Sequence, residues 1–364
     1  MSTAGGPPRS AELRLAVAMR GGVSLAVWMG GACCEMARLR AAAPGPADGP
    51  PRPESPGTAV YRGVLERCGY RDVEIDVIAG TSAGGLNGVL LACHLVYGMP
   101  FGPGVRDLWL HLGDLESLLR RSTPFHVPAS LMQGDEVFYA GLRRALDELL
   151  VEAPGPGPGP APRPAASLRL ILTATRLRPR PDRVRPTLGQ PLLVGRSNAY
   201  FRFRHRQGLT DFPADPAARG PALDRLAYAA RTSSSFPGAF EPARPYVGNE
   251  PPPPGAPARV DMRGVSSETG HCDENLGGCA ELVDGGLLDN IPVAWAVRAI
   301  AGAPVTRPVD RWLLFLQPVP PFPPPPERGT ADRATRLVRI AAKSFAVTCS
   351  PPCASARSST RSSH

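Results

Sequence analysis

The chain has 364 residues, with 45 Pro, 39 Gly and a hydrophobic share of 43%. That hydrophobic share is typical of globular proteins, and the length allows one large domain or two ordinary ones. Glycine does not recur at every third position, which excludes collagen, and no apolar run reaches the roughly 18 residues of a transmembrane helix.

The net charge is +9, and every basic residue except Lys343 and the histidines is an arginine. The arginines are scattered rather than gathered into a basic patch, so we do not expect nucleic acid as a partner. The same charge is compatible with peripheral attraction to an anionic membrane. The eight cysteines follow neither a disulfide nor a zinc-binding pattern. They predict reduced thiols in a cytoplasmic protein, and no metal or other cofactor is expected.

Apolar runs and helix-like segments alternate along the chain. The predicted strands are Leu13–Met19, Val73–Ala79, Leu168–Thr175, Phe201–Arg204, Glu281–Val283 and Arg311–Leu316. The predicted helices are Leu25–Leu39, Ala83–Leu95, Leu108–Leu119, Val137–Val151 and Leu223–Arg231. This alternation predicts an α/β fold, in which a mainly parallel central sheet forms a three-layer sandwich with helices on both faces.

Proline is concentrated in four segments, which hold 24 of the 45 prolines and are predicted to be solvent-exposed loops. They are residues 44–56, 153–166, 250–258 and 318–327. Because these loops interrupt one alternating pattern, we expect a single domain over 11–345. Residues 1–10 are predicted to be disordered, and the Ser- and Arg-rich residues 346–364 are predicted to be a disordered or truncated tail.

The sharpest motif is Gly80-Thr81-Ser82-Ala83-Gly84, which lies between a predicted strand and a predicted helix. Small residues on both sides of the serine permit the tight turn of a nucleophile elbow, and the following helix directs its positive end at the serine. The alternative is an ordinary strand–helix turn in which Ser82 only caps the helix. The strand before it and the helix after it favour the elbow.

A second motif runs from Val283 through Asp284, Gly285 and Gly286 to Asn290 and Pro292. A carboxylate at a strand end followed by two glycines is closely approachable and could act as a base. The segment could equally be a turn in which Asp289 or Asn290 caps the next helix. Both interpretations can hold together.

No histidine lies in a recognisable catalytic motif. In hydrolases that use a Ser-His-Asp triad, the histidine serves as the base for the serine. His271 lies in a polar loop, and a conventional triad that uses it stays open as an alternative.

The order of these motifs resembles that of the patatin-like phospholipase family of the bacterial type. The resemblance extends from about Leu13 to Gln317 and includes the segment Ala230–Phe240, which is similar to a family segment between the elbow and the aspartate. It implies a lipid acyl hydrolase that acts on a lipid or phospholipid ester through a dyad, with Ser82 as the nucleophile and Asp284 as its general base.

The resemblance also implies an oxyanion hole at Gly21 and Gly22, which follow the first strand. The family usually has Gly-Gly-Gly-x-Arg/Lys-Gly there, whereas this chain has Ser24 and Leu25 at the last two positions of the pattern. This departure leaves a second interpretation open, a patatin-fold protein that binds lipid with little turnover.

Three arginines, Arg202, Arg204 and Arg206, alternate along the fourth predicted strand and therefore share one face. Such a face could meet phosphate head groups, although exposure to solvent is its usual role.

Overall fold

A computed structural model describes most of the chain. The described residues are 12–22, 26–44, 56–120, 128–151, 163–252, 260–270, 274–303, 305 and 308–317. Several predictions concern positions outside these ranges: Ser24, Leu25, His271, most of the four Pro-rich segments, and residues 1–10 and 346–364.

Seven strands form one sheet in the order β5-β4-β3-β2-β1-β7, and β6 pairs with β3 beside this path. The strands are β1 Glu12–Met19, β2 Asp72–Gly80, β3 Ser167–Val184, β4 Leu192–Arg206, β5 Leu209–Thr210, β6 Leu282–Asp284 and β7 Asp310–Leu316. Neighbours in the row β3-β2-β1-β7 are parallel, whereas β4, β5 and β6 pair antiparallel. All six predicted strands are confirmed.

Eight α-helices connect and cover these strands within the described ranges. They are α1 Ala26–Ala42, α2 Pro56–Cys68, α3 Ala83–Tyr97, α4 Pro103–Leu112, α5 Leu115–Leu118, α6 Ala140–Val151, α7 Pro216–Ser233 and α8 Val293–Ala301. None of the described helices is both long enough and apolar enough to cross a membrane.

The helices lie on both faces of the sheet. On one face, Leu15 and Val17 of β1 belong to a large buried cluster that includes residues of α1, α3 and α7. On the other face, Ala16 and Ala18 pack with α8 in a smaller cluster. Successive residues of a strand point to opposite faces, so the part of β1 that is covered on both faces, residues 15–19, is an uninterrupted apolar run. The predicted three-layer α/β sandwich is confirmed.

The predicted helix Leu108–Leu119 is wrong as a single element. Helix α4 ends at Leu112 with Gly113 as its C-cap, and Asp114 then caps the short helix α5 by accepting a hydrogen bond from the Glu116 amide. A cap aspartate begins a new helix more readily than it continues an old one.

Other helices also differ from the prediction. Residues Gly134–Tyr139 form a π-helical turn before α6, so the helix predicted from Val137 begins differently. Helix α7 begins at Pro216, seven residues before the predicted start at Leu223. Helix α2 is not among the predicted helices, and its first residue, Pro56, lies in a segment predicted to be a loop. Proline suits the first turn of a helix, where its missing N–H is not needed.

The third and fourth strands are much longer than predicted. Their first half pairs from Ser167 with Arg206 to Thr175 with Asn198, and a second half pairs from Arg180 with Arg196 to Val184 with Leu192. The register shifts between the two halves. The second half contains several arginines and prolines, which are poor indicators of a strand.

Candidate active site

Ser82 lies in a strained turn between β2 and α3. Its backbone has φ 53° and ψ −123°, and it is the only non-glycine residue with positive φ in the described part of the chain. Such a conformation costs on the order of 1–3 kcal/mol and persists only where the surroundings enforce it. Hydrogen bonds from the Thr81 amide to Met19 and from the Gly84 amide to Thr81 hold the turn.

The glycines of the elbow are required by close backbone packing. A Cβ at Gly80 would collide with the Gly84 carbonyl, and a Cβ at Gly84 would collide with the Met19 carbonyl of β1. These are contacts with main chain, which cannot rotate away as a side chain could. The two motif glycines therefore let the elbow lie against the end of β1.

The Thr81 side chain connects the elbow to two other parts of the chain. The Thr81 hydroxyl lies 2.7 Å from the Thr173 hydroxyl of β3 and donates to the Asp289 carbonyl at 2.8 Å. Thr81 is fully buried, so these bonds satisfy its polar group. They also connect the nucleophile turn to the segment that follows β6.

Asp284 ends strand β6, which lies antiparallel to β3 with Asp284 opposite Ala174. Its carboxylate accepts a hydrogen bond from the Gly286 amide at 2.7 Å. Burial raises the pKa of the Asp284 carboxyl from 3.8 to about 6, although hydrogen bonds from the Gly286 amide and the Ser82 side chain lower it. The structure therefore brings the predicted nucleophile and base together.

The two glycines after Asp284 let the chain turn tightly there. A Cβ at Gly285 would collide with Thr173, and a Cβ at Gly286 would lie 3.0 Å from the Asp284 carboxylate. Without side chains, these residues form a short 3₁₀ turn whose amide reaches the carboxylate. The motif thus forms a tight turn and also presents the Asp284 carboxylate, so the two interpretations of this motif are compatible.

The last residue of α7 and the segment that follows it contact Ser82 and Asp284. The Ser82 amide donates to the Ser233 hydroxyl at 2.9 Å, and the Asp284 amide donates to the Ser235 carbonyl at 2.9 Å. The similarity of Ala230–Phe240 to a family segment singled out this region but not these contacts. No local pattern identifies Ser233, because its partner is 151 residues away.

Buried Arg231 holds this segment in position. Its guanidinium pairs with Asp135 and Glu241, and it also donates to the Ser235 hydroxyl at 2.5 Å. Arg231 is only 1% exposed. A buried guanidinium is tolerated only when it is paired in this way.

Gly21 lies beside Ser82, but its amide already donates a hydrogen bond. A Cβ on Gly21 would come within 2.9 Å of the Ser82 Cβ, and its N–H donates to the Asn290 side-chain oxygen at 2.9 Å. Asn290 was named in the sequence motif only as a possible helix cap, so this contact was missed. Its partner is 269 residues away along the chain.

No described residue accepts a hydrogen bond from the amide of Gly22, which follows Gly21, or from the amide of Ala83, which follows Ser82. The amide after the nucleophile is a recurrent oxyanion donor in hydrolases with an elbow serine.

The three described histidines make other contacts. His94 bonds to the Met99 carbonyl, His111 to the Asp107 carbonyl and His205 to the Thr210 hydroxyl. Within the described ranges, no three His, Cys, Asp or Glu side chains come together as a metal site would require.

Comparison with known proteins agrees with this arrangement. The family described as "Patatin-like phospholipase" matches residues 56–297, which include Ser82 and Asp284. The chain is also 35% identical over 343 residues to a Mycobacterium tuberculosis protein named "Uncharacterized membrane protein Rv3479". That alignment covers 87% of this chain and 29% of the relative, so the chain spans less than a third of that protein. No solved structure matches the chain. The family match over most of its length means that the chain belongs to the patatin-like phospholipases.

Proposed function

We propose that the chain is a serine lipid acyl hydrolase, of phospholipase A or lysophospholipase type, in which Ser82 is the nucleophile and Asp284 its general base. The observation that carries this proposal is the contact between the elbow serine and a buried carboxyl whose pKa is raised to about 6. Membership of a family of lipid acyl hydrolases supports it.

In the first step, the Ser82 oxygen attacks the ester carbonyl and its proton passes to Asp284. A general base works best when its pKa lies near the working pH yet leaves it mostly ionised. With a pKa of about 6, Asp284 is mostly ionised at neutral pH and is a stronger base than an exposed aspartate. The proton then passes to the departing alcohol, and water hydrolyses the acyl-enzyme through the same base.

Backbone amides stabilise the oxyanion that forms during the attack. The amides of Gly22 and Ala83 have no acceptor among the described residues, so they can donate to the oxyanion without first breaking another hydrogen bond. The Gly21 amide becomes available only if the Asn290 side chain gives it up. Loss of one such donor typically costs about 3–4 kcal/mol of transition-state stabilisation.

The bond between Gly21 and Asn290 favours a second candidate function. If Asn290 keeps this amide during turnover, the oxyanion loses one donor and hydrolysis slows. The protein would then bind lipid with little turnover.

Hydrolysis of a short-chain soluble ester by wild type and by Ser82→Ala, Asp284→Asn and His271→Ala variants tests the proposal. We expect the first two variants to be inactive and the third to keep wild-type activity. A fluorophosphonate probe should label wild type and fail to label Ser82→Ala.

Two results would contradict the proposal. Activity that survives Asp284→Asn but is lost in His271→Ala would assign the base to a histidine. Wild-type protein that binds lipid but hydrolyses no acyl ester, even though Ser82 accepts the probe, would favour the binding function.

A further inference from the structure

The second half of the β3–β4 hairpin, residues 177–198, forms a two-stranded ribbon that leaves the body of the sheet. None of its residues is buried. The register shift after Thr175 separates it from the buried first half of the same strands. An isolated two-stranded hairpin is only marginally stable in water, so a ribbon of this kind gains from a surface that covers it.

The ribbon begins at the edge of the sheet where the candidate active site lies. Strand β3 is parallel to β2, with Leu172 opposite Gly80, and it then pairs with β6 through Ala174 opposite Asp284. The chain continues in the same direction from there. At about 3.3 Å per residue, the eight residues 177–184 extend up to roughly 26 Å beyond this edge.

Large apolar side chains cluster towards the tip of the ribbon. Leu188 is 89% exposed, Leu193 71% and Leu192 57%. Leu177, Val184 and Val194 are exposed as well. An exposed apolar patch of this kind marks a site of interaction with a protein, a ligand or a membrane.

The ribbon is also strongly basic. It carries five arginines at positions 178, 180, 183, 185 and 196, against one acidic residue, Asp182. Asp182 pairs with Arg196 at 3.2 Å, and the ribbon has no other carboxylate to balance the charges of Arg180, Arg183 and Arg185. Each arginine near an anionic membrane surface strengthens binding about fivefold.

Apolar and basic side chains occur on both faces of the ribbon. Residues opposite one another in an antiparallel pair share a face, and Val184 lies opposite Leu192 whereas Arg183 lies opposite Leu193. A protein groove would require one apolar face. A lipid surface accepts apolar groups from every side of an inserted tip, while arginines reach the head groups along their aliphatic stems.

We propose that residues 177–198 dock the protein on an anionic lipid surface, with Leu188, Leu192 and Leu193 inserted between the lipids and the arginines against the phosphates. The purpose of this docking rests on the proposed lipid hydrolase function, because it brings the edge with Ser82 towards its substrate. The binding itself can be measured apart from hydrolysis.

Flotation of the full chain with vesicles tests this inference. The vesicles contain either phosphatidylcholine alone or phosphatidylcholine mixed with phosphatidylserine. We expect wild type to bind the mixed vesicles. A variant with Arg180→Gln, Arg183→Gln and Arg185→Gln should bind them on the order of a hundredfold more weakly. A second variant with Leu188→Ser and Leu193→Ser should also lose binding.

Matched controls change the same residue types elsewhere. Arg67→Gln with Arg71→Gln removes exposed arginines just before β2, at the opposite edge of the sheet from the elbow. Leu131→Ser removes a leucine that is 63% exposed outside the ribbon. Both controls should retain vesicle binding apart from the modest general effect of lost charge. Circular dichroism and a thermal melt confirm that each variant is folded.

Insertion of the tip has its own measurement. In a Leu188→Trp variant, tryptophan emission should shift to shorter wavelength when mixed vesicles are added, beyond any shift of the wild type. Brominated lipids should quench this added emission. An unchanged emission would contradict insertion at this position.

Binding and hydrolysis fail separately in this design. Ribbon variants that float as well as wild type, while soluble-ester activity is normal, would overturn the docking inference and leave the hydrolase proposal intact. Flotation that depends on the ribbon, in a protein without any esterase activity, would support the docking inference and contradict the hydrolase proposal. A wild-type dimer that ribbon variants convert to a monomer, with flotation unchanged, would assign the ribbon to self-association instead.

Discussion

Strands β3 and β4 each pass through two contrasting environments. In their first half, Leu170 and Leu172 are fully buried opposite Phe203 and Phe201, and Thr173 contacts the nucleophile turn. In their second half, residues 177–198, no side chain is buried. One continuous hairpin thus supports the candidate active site and then leaves the protein core.

The two regions differ in what their residues do. Around Ser82 they enforce one backbone conformation, whereas in the ribbon they expose side chains to solvent. The unusual backbone of Ser82 is held by hydrogen bonds between its turn and four other segments and by main-chain contacts that only glycine permits. The ribbon has a single layer of strand pairing and no core beneath it. Substitutions should therefore change chemistry and stability at the first region, and association at the second.

The largest effect that we predict concerns the pH dependence of ester hydrolysis. If Asp284 must be ionised to accept the Ser82 proton, kcat/KM for a soluble ester should be full above a pKa of about 6 and fall as pH decreases through it. Each pH unit below that value should lower kcat/KM about tenfold, so that pH 4 gives on the order of one hundredth of the plateau. Ser82→Ala measures the background. An inflection that disappears in His271→Ala would contradict the role of Asp284.

Ionisation of Asp284 should favour hydrolysis but lower the stability of the protein. Because the folded pKa of Asp284 is raised from 3.8 to about 6, its ionisation destabilises the fold above pH 6 by about 3 kcal/mol, and this cost is absent below about pH 4. Asp284→Asn should therefore raise the free energy of unfolding at pH 8, and the gain should vanish near pH 4. Urea unfolding at both pH values measures it.

The control for that measurement is Asp182→Asn on the ribbon, which removes an aspartate outside the core. It should change the free energy of unfolding little at either pH. A gain of equal size in both variants would show that net charge, and not burial of Asp284, is responsible.

A smaller effect is predicted for the glycines that shape the elbow. Gly84→Ala adds a Cβ that meets the main chain of Met19, so we expect a loss of about 1–3 kcal/mol in unfolding free energy and reduced esterase activity. Gly31→Ala in α1 is the matched control, because nothing lies within 4 Å of its added Cβ. Alanine there should stabilise the helix by about 0.5–1 kcal/mol. Equal melting temperatures for the two variants would contradict the packing argument.

The sequence predicts those parts of the fold and site that carry local signals. Strand, glycine and helix follow one another at Ser82, and a strand end followed by two glycines marks Asp284. Both β1 and β2 contain an uninterrupted apolar run, residues 15–19 and 77–79, as expected where a strand is covered on both faces, and both strands are recognised within one residue of their ends.

What the sequence does not predict depends on contacts between distant segments. Asn290 reaches Gly21, and Ser233 reaches the Ser82 amide, through folding of the whole sheet rather than through any short motif. The ribbon is missed for a different reason. Pro179 and Pro181 with their neighbouring arginines contradict strand propensity, and no buried face gives the segment a period of two.

The smallest effect is predicted for the ribbon in the absence of lipid. Leu193→Ala removes apolar atoms that are already 71% exposed, so the free energy of unfolding should change by no more than about 0.5 kcal/mol. Leu170→Ala makes the same substitution in the buried half of β3 and should cost about 2–5 kcal/mol. Urea unfolding in vesicle-free buffer measures both. A large loss in Leu193→Ala would mean that the ribbon packs against the protein in solution, and the contrast between the two halves of the hairpin would no longer hold.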